Sequence, residues 1–345
     1  MRLGVVLFNL GGPDTLDAVQ PFLTNLFSDK AIIRAPGFIR WPLARFIASR
    51  RRAYAQSIYT SIGGGSPIVP QTEAQAEALT QALAGVGIEA KTVIAMRYWH
   101  PRADEAARTL AAWRPDRVAL IPLYPQFSTT TTASSLAEWR GAAKRAGLDA
   151  PDAAICCYPL EAGFVAAYGD LLKQGLAEVP DGAVPRIIFS AHGLPERIVR
   201  AGDPYPLQVE AGAKAIAAAA GAEGVASIVT YQSRVGPLKW IGPDTDAEIL
   251  ATAKAGQVPV VVPLAFVSEH SETLYELDQV YRDAALGAGA PAYVRVPAVG
   301  RHPRFIAGLA ALVRQTIGRS GIAPDPAWPG CGAAAGCPCR ETRAA

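Results

Sequence analysis

Val258-Pro259-Val260-Val261-Val262 is apolar at every position, with no polar residue to turn toward water. A strand that alternates has one solvated face. A strand that does not alternate must be covered on both, as in a parallel sheet flanked by helices. This stretch opens the run 258–266, and seven other apolar, β-rich runs share its character: 3–9, 91–97, 117–122, 153–158, 186–191, 227–232 and 292–296. Between them lie Ala-, Leu-, Glu- and Lys-rich segments of helical length, such as 71–84 and 206–220. Strand–helix alternation of this kind predicts an α/β architecture. Four runs precede residue 160 and four follow it, so the simplest reading is two four-stranded parallel halves with a seam near 161–168.

The chain has 345 residues, 50% hydrophobic and 18% charged, enough apolar material for a large core and too few charges for disorder. Thirty-three basic side chains against thirty acidic ones leave a net charge of +3, which argues against a nucleic-acid binder. No uninterrupted apolar run is long enough to span a membrane, and residues 1–12 read as a first strand rather than a signal peptide. A cytoplasmic protein is expected.

The segment 21–52 breaks the rhythm. It combines Phe22, Leu23, Phe27, Phe38, Ile39, Trp41 and Phe46 with Lys30, Arg34, Arg40, Arg45, Arg50, Arg51 and Arg52, against the single acid Asp29, for a net +6. Such a stretch suits an anionic membrane surface or an amphiphilic anionic ligand; the plainer reading is a helical hairpin packed on the core with solvated arginines.

The chemistry-bearing residues follow strand ends, where open α/β sheets bind ligands. Asn9-Leu10-Gly11-Gly12, Arg97-Tyr98-Trp99-His100, Ser190-Ala191-His192-Gly193, Gln232-Ser233-Arg234 and Ser268-Glu269-His270-Ser271-Glu272 all sit there, and all four histidines (His100, His192, His270, His302) follow such ends. Glu272 and Glu276, at i and i+4, share one face of the expected helix, an unfavourable pair unless a cation or proton is shared. Imidazole with carboxylate suits a divalent first-row metal. Gly63-Gly64-Gly65-Ser66 and Gly11-Gly12 match no phosphate-loop pattern, so no nucleotide is expected. Five cysteines, Cys156, Cys157, Cys331, Cys337 and Cys339, do not pair evenly; four thiolates among them would suit a metal or an iron–sulfur cluster.

These residues carry a resemblance. Leu7-Phe8-Asn9-Leu10-Gly11-Gly12-Pro13, Ile62-Gly63-Gly64-Gly65-Ser66-Pro67-Ile68, Met96-Arg97-Tyr98-Trp99-His100-Pro101, Leu123-Tyr124-Pro125-Gln126, Ser190-Ala191-His192-Gly193-Leu194-Pro195, Tyr231-Gln232-Ser233-Arg234-Val235-Gly236-Pro237 with Trp240, and Phe266 through Asp278 resemble, in order and nearly end to end, the ferrochelatase family. The resemblance implies the chelatase fold, two Rossmann-like halves each holding a four-stranded parallel sheet flanked by helices. Its expected division is 1–160 with an apolar lip at 21–52, 161–303, a helix at 304–320 returning to the first half, and a cysteine-bearing extension at 321–345. It implies a lyase-class chelatase that inserts Fe²⁺ into protoporphyrin IX as the last step of haem biosynthesis. His192, Glu272, His270 and Glu276 match the catalytic and polar-relay positions, His192 and Glu272 being also the candidate Fe²⁺ ligands. Leu10, Arg97, Tyr98, Gln232, Ser233, Trp240 and Phe266 match cleft-lining positions. Which of His192 and Glu272 meets iron first is left open.

The resemblance further implies a [2Fe–2S] cluster held by Cys331, Cys337, Cys339 and one internal cysteine. Family members place the internal ligand after the third strand, where this chain has Thr129-Thr130-Thr131-Thr132. The internal ligand is therefore Cys156 or Cys157, which face opposite ways as neighbours on a strand, with Cys157 preferred and Cys156 the alternative. A zinc site, or unliganded tail thiols with a buried cysteine pair, are the other readings. The lip implies a peripheral position at the inner face of the cytoplasmic membrane. A homodimer is compatible with the sequence, which leaves the oligomeric state open. Coproporphyrin III as substrate, a cobalt chelatase, and a haem or metal carrier without turnover are the rival functions.

Overall fold

The computed structural model describes residues 1–30, 32–33, 35–233, 238–328, 330 and 336–338. Among them the strands are β1 (Arg2–Asn9), β2 (Glu89–Met96), β3 (Arg117–Pro122), β4 (Asp152–Ile155), β5 (Pro185–His192), β6 (Ser227–Gln232), β7 (Val258–Pro263), β8 (Val294–Arg295) and β9 (Gly321–Ala323). The helices are α1 (Val19–Phe27), α2 (Gly37–Ser61), α3 (Ile68–Ala84), α4 (Ala103–Trp113), α5 (Thr132–Arg145), α6 (Ala162–Ala177), α7 (Glu196–Arg200), α8 (Tyr205–Ala219), α9 (Thr245–Lys254), α10 (Tyr281–Gly287) and α11 (Pro303–Thr316), with a π-helix at Glu272–Val280. Two sheets form, of order β2-β1-β3-β4-β9 and β6-β5-β7-β8. Every pairing in them is parallel. All six residues of β7 are buried, which is why its sequence carries no alternation.

One apolar core runs through both sheets: Leu3, Val5 and Leu7 of β1 belong to the same cluster as Ile187, Phe189, Val260 and Val262 of the second sheet. Helix α11 closes it. Phe305, Ile306, Leu309, Leu312 and Val313 recur at three- and four-residue spacing and are all buried. Through that stripe α11 packs on α3, β3 and β4 as well as on α6, and so ties the C-terminal half to the first sheet.

Helices α1 and α2 form the hairpin anticipated at 21–52. Its inner side joins Val19, Phe22, Leu23, Ala48, Tyr59 and Tyr98 in a small cluster. Helix α2 runs 25 residues yet buries only Ala44, Ala48 and Tyr59. Its outer side leaves Phe38 80%, Phe46 60% and Trp41 56% exposed.

Three expectations are corrected. Four strands are expected in the first half, but Gly321–Ala323 of the cysteine-bearing extension adds β9 to the edge of β4, pairing Ala154 with Ile322, so its sheet has five. A three-residue edge strand is too short to show a period, and its conformation comes from its partner. The fourth strand ends at Ile155, so Cys156 and Cys157 lie beyond it and are not bound to strand alternation: their Sγ atoms approach to 3.7 Å. The helix after β7 is a π-helix, one residue wider per hydrogen-bonded turn than the expected α-helix. Spacing of Glu272 and Glu276 is compatible with either winding, so sequence periodicity could not separate them.

Candidate active site

Adjacent strand ends assemble the site. His192 closes β5 and Gln232 closes β6, and the two are paired in register. Gly193 follows, and a Cβ there would lie 3.0 Å from the Gln232 carbonyl oxygen and 3.3 Å from the Trp240 ring, so glycine lets that indole lie against the strand end. Ser190 donates to Gln232 Oε1 at 2.6 Å, which turns the amide's NH₂ toward Glu276 Oε2 at 3.2 Å. Ser233, held at φ +64° in the left-handed region, donates to the same oxygen at 2.9 Å. A non-glycine residue in that conformation stores strain, and such strain gathers at functional positions.

From the other side, the loop after β7 and the π-helix bring in Glu272. His192 Nδ1 donates to Glu272 Oε2 at 3.0 Å, which leaves Nε2 of the neutral imidazole as its proton acceptor. His270 Nδ1 accepts from the Glu272 backbone N–H at 3.0 Å, so its proton resides on Nε2, and its ring stands edge-on to Phe266 at 4.4 Å. The structure therefore gathers His192, Gln232, Ser233, Glu272 and Glu276 through direct hydrogen bonds, with His270, Phe266 and Trp240 beside them.

The electrostatics divide these groups. Burial alone would push Glu272 up, but the facing His192 charge and its hydrogen bond hold it down at about 2. Burial would likewise push His192 down, and the Glu272 carboxylate outweighs it and raises it. Burial, then the negative Glu272, raises Glu276 to about 7. Burial lowers His270, leaving a neutral ring. The His192 side chain nonetheless remains 41% accessible: protein surrounds it, but one side opens to solvent.

The remaining expected residues sit differently. Leu10 lies at the base of the lip cluster, its carbonyl accepting from the Tyr98 backbone N–H. Arg97 spends its guanidinium on Asp29 at 2.8 Å and Glu138 at 2.7 Å, while Tyr98 donates to Asp29 at 2.7 Å. Both thereby fasten the turn after α1 to the end of β2. His100 is exposed and paired with Glu105 near the start of α4, and His302 caps α11 by accepting from the Arg304 N–H. Only two of the four histidines therefore belong to the site. Ser190 and Asp278 stand within the quoted motifs but were given no role, and Arg295 was missed, since nothing distinguishes it from an ordinary strand residue. A cavity of about 550 Å³ lies against the π-helix, lined by residues including Leu274, Asp278, Tyr293 and Arg295. It does not touch His192 or Glu272 and is not the centre of the chemistry.

Cys156, Cys157 and Cys337 are buried in one apolar cluster with Phe127 and Trp328. Cys331 and Cys339 lie outside the described residues. Among the described residues no three His, Cys, Asp or Glu side chains gather in a metal-holding group.

The ferrochelatase family model matches residues 2–317. The chain belongs to the ferrochelatase family. The ferrochelatase of Caulobacter vibrioides is 51% identical over 347 residues, covering 99% of this chain and 98% of that one. The ferrochelatase of Phenylobacterium zucineum is 49% identical over 344 residues, covering 99% of each. Among solved structures, SirB from Bacillus subtilis with Fe³⁺ superposes with a TM-score of 0.52 at 14% identity over 91% of this chain and 95% of its own, a likeness of fold. As a ferrochelatase, the enzyme is a lyase-class metal chelatase of haem biosynthesis that acts on a porphyrin and Fe²⁺. No helix among the described residues is long and apolar enough to cross a membrane.

Proposed function

We propose that the porphyrin is protoporphyrin IX and that the His192–Glu272 pair, 3.0 Å apart at the ends of two elements, metallates it. Replacing two pyrrole protons by Fe²⁺ requires two proton acceptors and one place for the dication. Neutral His192 Nε2 takes the first proton. Glu276, raised to about 7, is matched to accept the second near neutrality. Glu272 stays ionised at any pH above its low value of about 2 and receives the metal. A dication at Glu272 offsets the carboxylate charge that raises His192, and so favours the neutral imidazole that acts as base. Bending of the macrocycle within the cleft, by exposing the pyrrole lone pairs, would favour the transition state over the flat substrate. Gln232 and Ser233 orient Glu276, and Leu10, Phe266 and Trp240 provide apolar walls. Arg97 and Tyr98 act by fixing the lip through Asp29.

The apolar exposure of α2 favours the more hydrophobic protoporphyrin over coproporphyrin III. Anaerobic loss of porphyrin fluorescence on adding Fe²⁺, compared for the two porphyrins, tests this: kcat/KM should favour protoporphyrin IX, and a preference for coproporphyrin III would refute it. The same face, with Phe38, Trp41 and Phe46 exposed beside Arg40, Arg45 and Arg50, supports peripheral attachment to anionic lipid at the inner face of the cytoplasmic membrane. A second copy of the chain covering this face is the competing outcome.

The burial of Cys337 in one apolar cluster with Cys157 and Cys156 is compatible with two of the four thiolates of a [2Fe–2S] centre. Cys337, Cys331, Cys339 and Cys157 are its proposed ligands, with Cys156 in reach as the alternative because both vicinal thiols lie past the strand end. When bound, such a centre supplies a one-electron redox group and a covalent staple for the extension.

A further inference from the structure

One buried cation has no role in the chemistry above. Arg295 of β8 is 14% exposed and forks onto Asp278, Nε to Oδ1 at 2.6 Å and Nη2 to Oδ2 at 2.7 Å. Its Nη1 donates to Glu269 Oε1 at 2.5 Å, an oxygen that also accepts from the Ala298 N–H at 2.9 Å. Two residues earlier, Tyr293 donates its hydroxyl to the Leu277 carbonyl at 2.7 Å. Tyr293 and Arg295 thus hold the chain just before the π-helix (Glu269) and residues in its second half (Leu277, Asp278). Glu272 and Glu276 lie between these two anchor points.

A π-helix is rare, because the α winding is ordinarily preferred, and something outside the segment must hold it. Apolar packing holds only part of it here: Thr273 and Leu277 are its buried residues, and the cavity of about 550 Å³ lies against its flank. The guanidinium is the rigid element that spans it. Its planar fork fixes direction as well as charge, which a flexible ammonium does not. Relaxation to α winding would rotate Glu276 about the axis relative to Glu272 and pull it from Ser233 and Gln232. We infer that Arg295 is a positioning residue for metallation: bridging Glu269 and Asp278, it keeps the π winding that sets Glu276 against Glu272. This rests on the reading that those two carboxylates handle metal and proton.

Arg295→Lys and Asp278→Asn, singly and together, test it beside Glu276→Gln. The readouts are kcat with Fe²⁺, porphyrin affinity by fluorescence titration, and thermal unfolding. Misplacing a reacting group by about 1 Å costs up to about 100-fold, so each single variant should lose about 10-fold to 100-fold in kcat. Porphyrin affinity should stay within about twofold. Because both changes break one clamp, the double variant should be no slower than the slower single one. A folded Arg295→Lys protein with unchanged kcat, losses that multiply in the double variant, or porphyrin affinity falling in step with kcat would each overturn the inference. If Arg295→Lys does not fold, Asp278→Asn carries the test, since that carboxylate is 31% exposed and better tolerates change. Full turnover in Glu276→Gln would refute the underlying reading and the clamp with it, whereas a crippled Glu276→Gln beside an unaffected Arg295→Lys refutes the clamp alone.

Discussion

Replacing Glu272 by Gln should change the protonation of His192 before it changes anything else. The carboxylate falls from 4.5 to about 2 in the folded protein. At about 1.4 kcal/mol per tenfold, that is about 3 kcal/mol in favour of its charged form. The largest favourable contribution is the His192 charge, and the same interaction acts reciprocally on the imidazole. The imidazole is 41% accessible, so solvent screening reduces the coupling to about 1–2 kcal/mol, about a tenfold change in proton affinity. With Glu272 neutral, burial acts on His192 opposed chiefly by Glu276, and its midpoint should drop below the ordinary 6.5. The direction for stability follows. His192, raised when folded, contributes stability below pH 6.5 that is lost as pH climbs through its folded value. Glu272, depressed when folded, contributes stability above 4.5 that is lost as pH falls toward 2. Imidazole NMR titration of ¹³C-histidine protein, with His192→Ala for assignment, reads both forms directly. The wild-type midpoint should lie above 6.5 and the Glu272→Gln midpoint about one pH unit or more lower. An unchanged or higher midpoint in the variant would refute the pairing.

Three further outcomes are expected. Phe38→Glu with Trp41→Glu should abolish co-sedimentation with phosphatidylserine vesicles while leaving turnover of detergent-dispersed porphyrin intact; retained sedimentation would contradict lipid contact through α2. Wild-type protein purified anaerobically should show visible charge-transfer absorption that Cys337→Ser lacks, and a colourless wild type would remove the cluster from the account. Trp139, 1% exposed and edge-on to Phe8 at 5.9 Å, should cost about 3–5 kcal/mol in urea unfolding when cut to Ala, and a loss below about 1 kcal/mol would contradict its place in the core.

The two-sheet architecture was legible because a strand covered on both faces cannot alternate, and Val258 to Val262 declares that directly. The site was legible wherever chemistry coincides with a strand end: His192 and Gln232 are register partners, and register follows from the parallel pairing. The same rule overreached at His100 and His302, whose rings serve helix starts rather than the cleft. A histidine after a strand is also a histidine before a helix, and position alone does not separate the roles. The π winding stayed hidden because the spacing of Glu272 and Glu276 suits either helix, and its contacts with Tyr293 and Arg295 come from outside its own sequence. Strand β9 stayed hidden for a similar reason, its conformation being imposed by β4. The closeness of Cys156 and Cys157 turned on where a strand stops, the least legible feature of any segment.

Turnover of His192→Ala protein tests the central claim most directly. Stopped-flow fluorescence under anaerobic conditions separates porphyrin binding from metallation. A general base contributes about 100-fold to 10,000-fold, so binding should persist while metallation falls by at least about 100-fold. Metallation at a rate near that of the wild type would contradict the assignment of His192 as the group that takes the pyrrole proton.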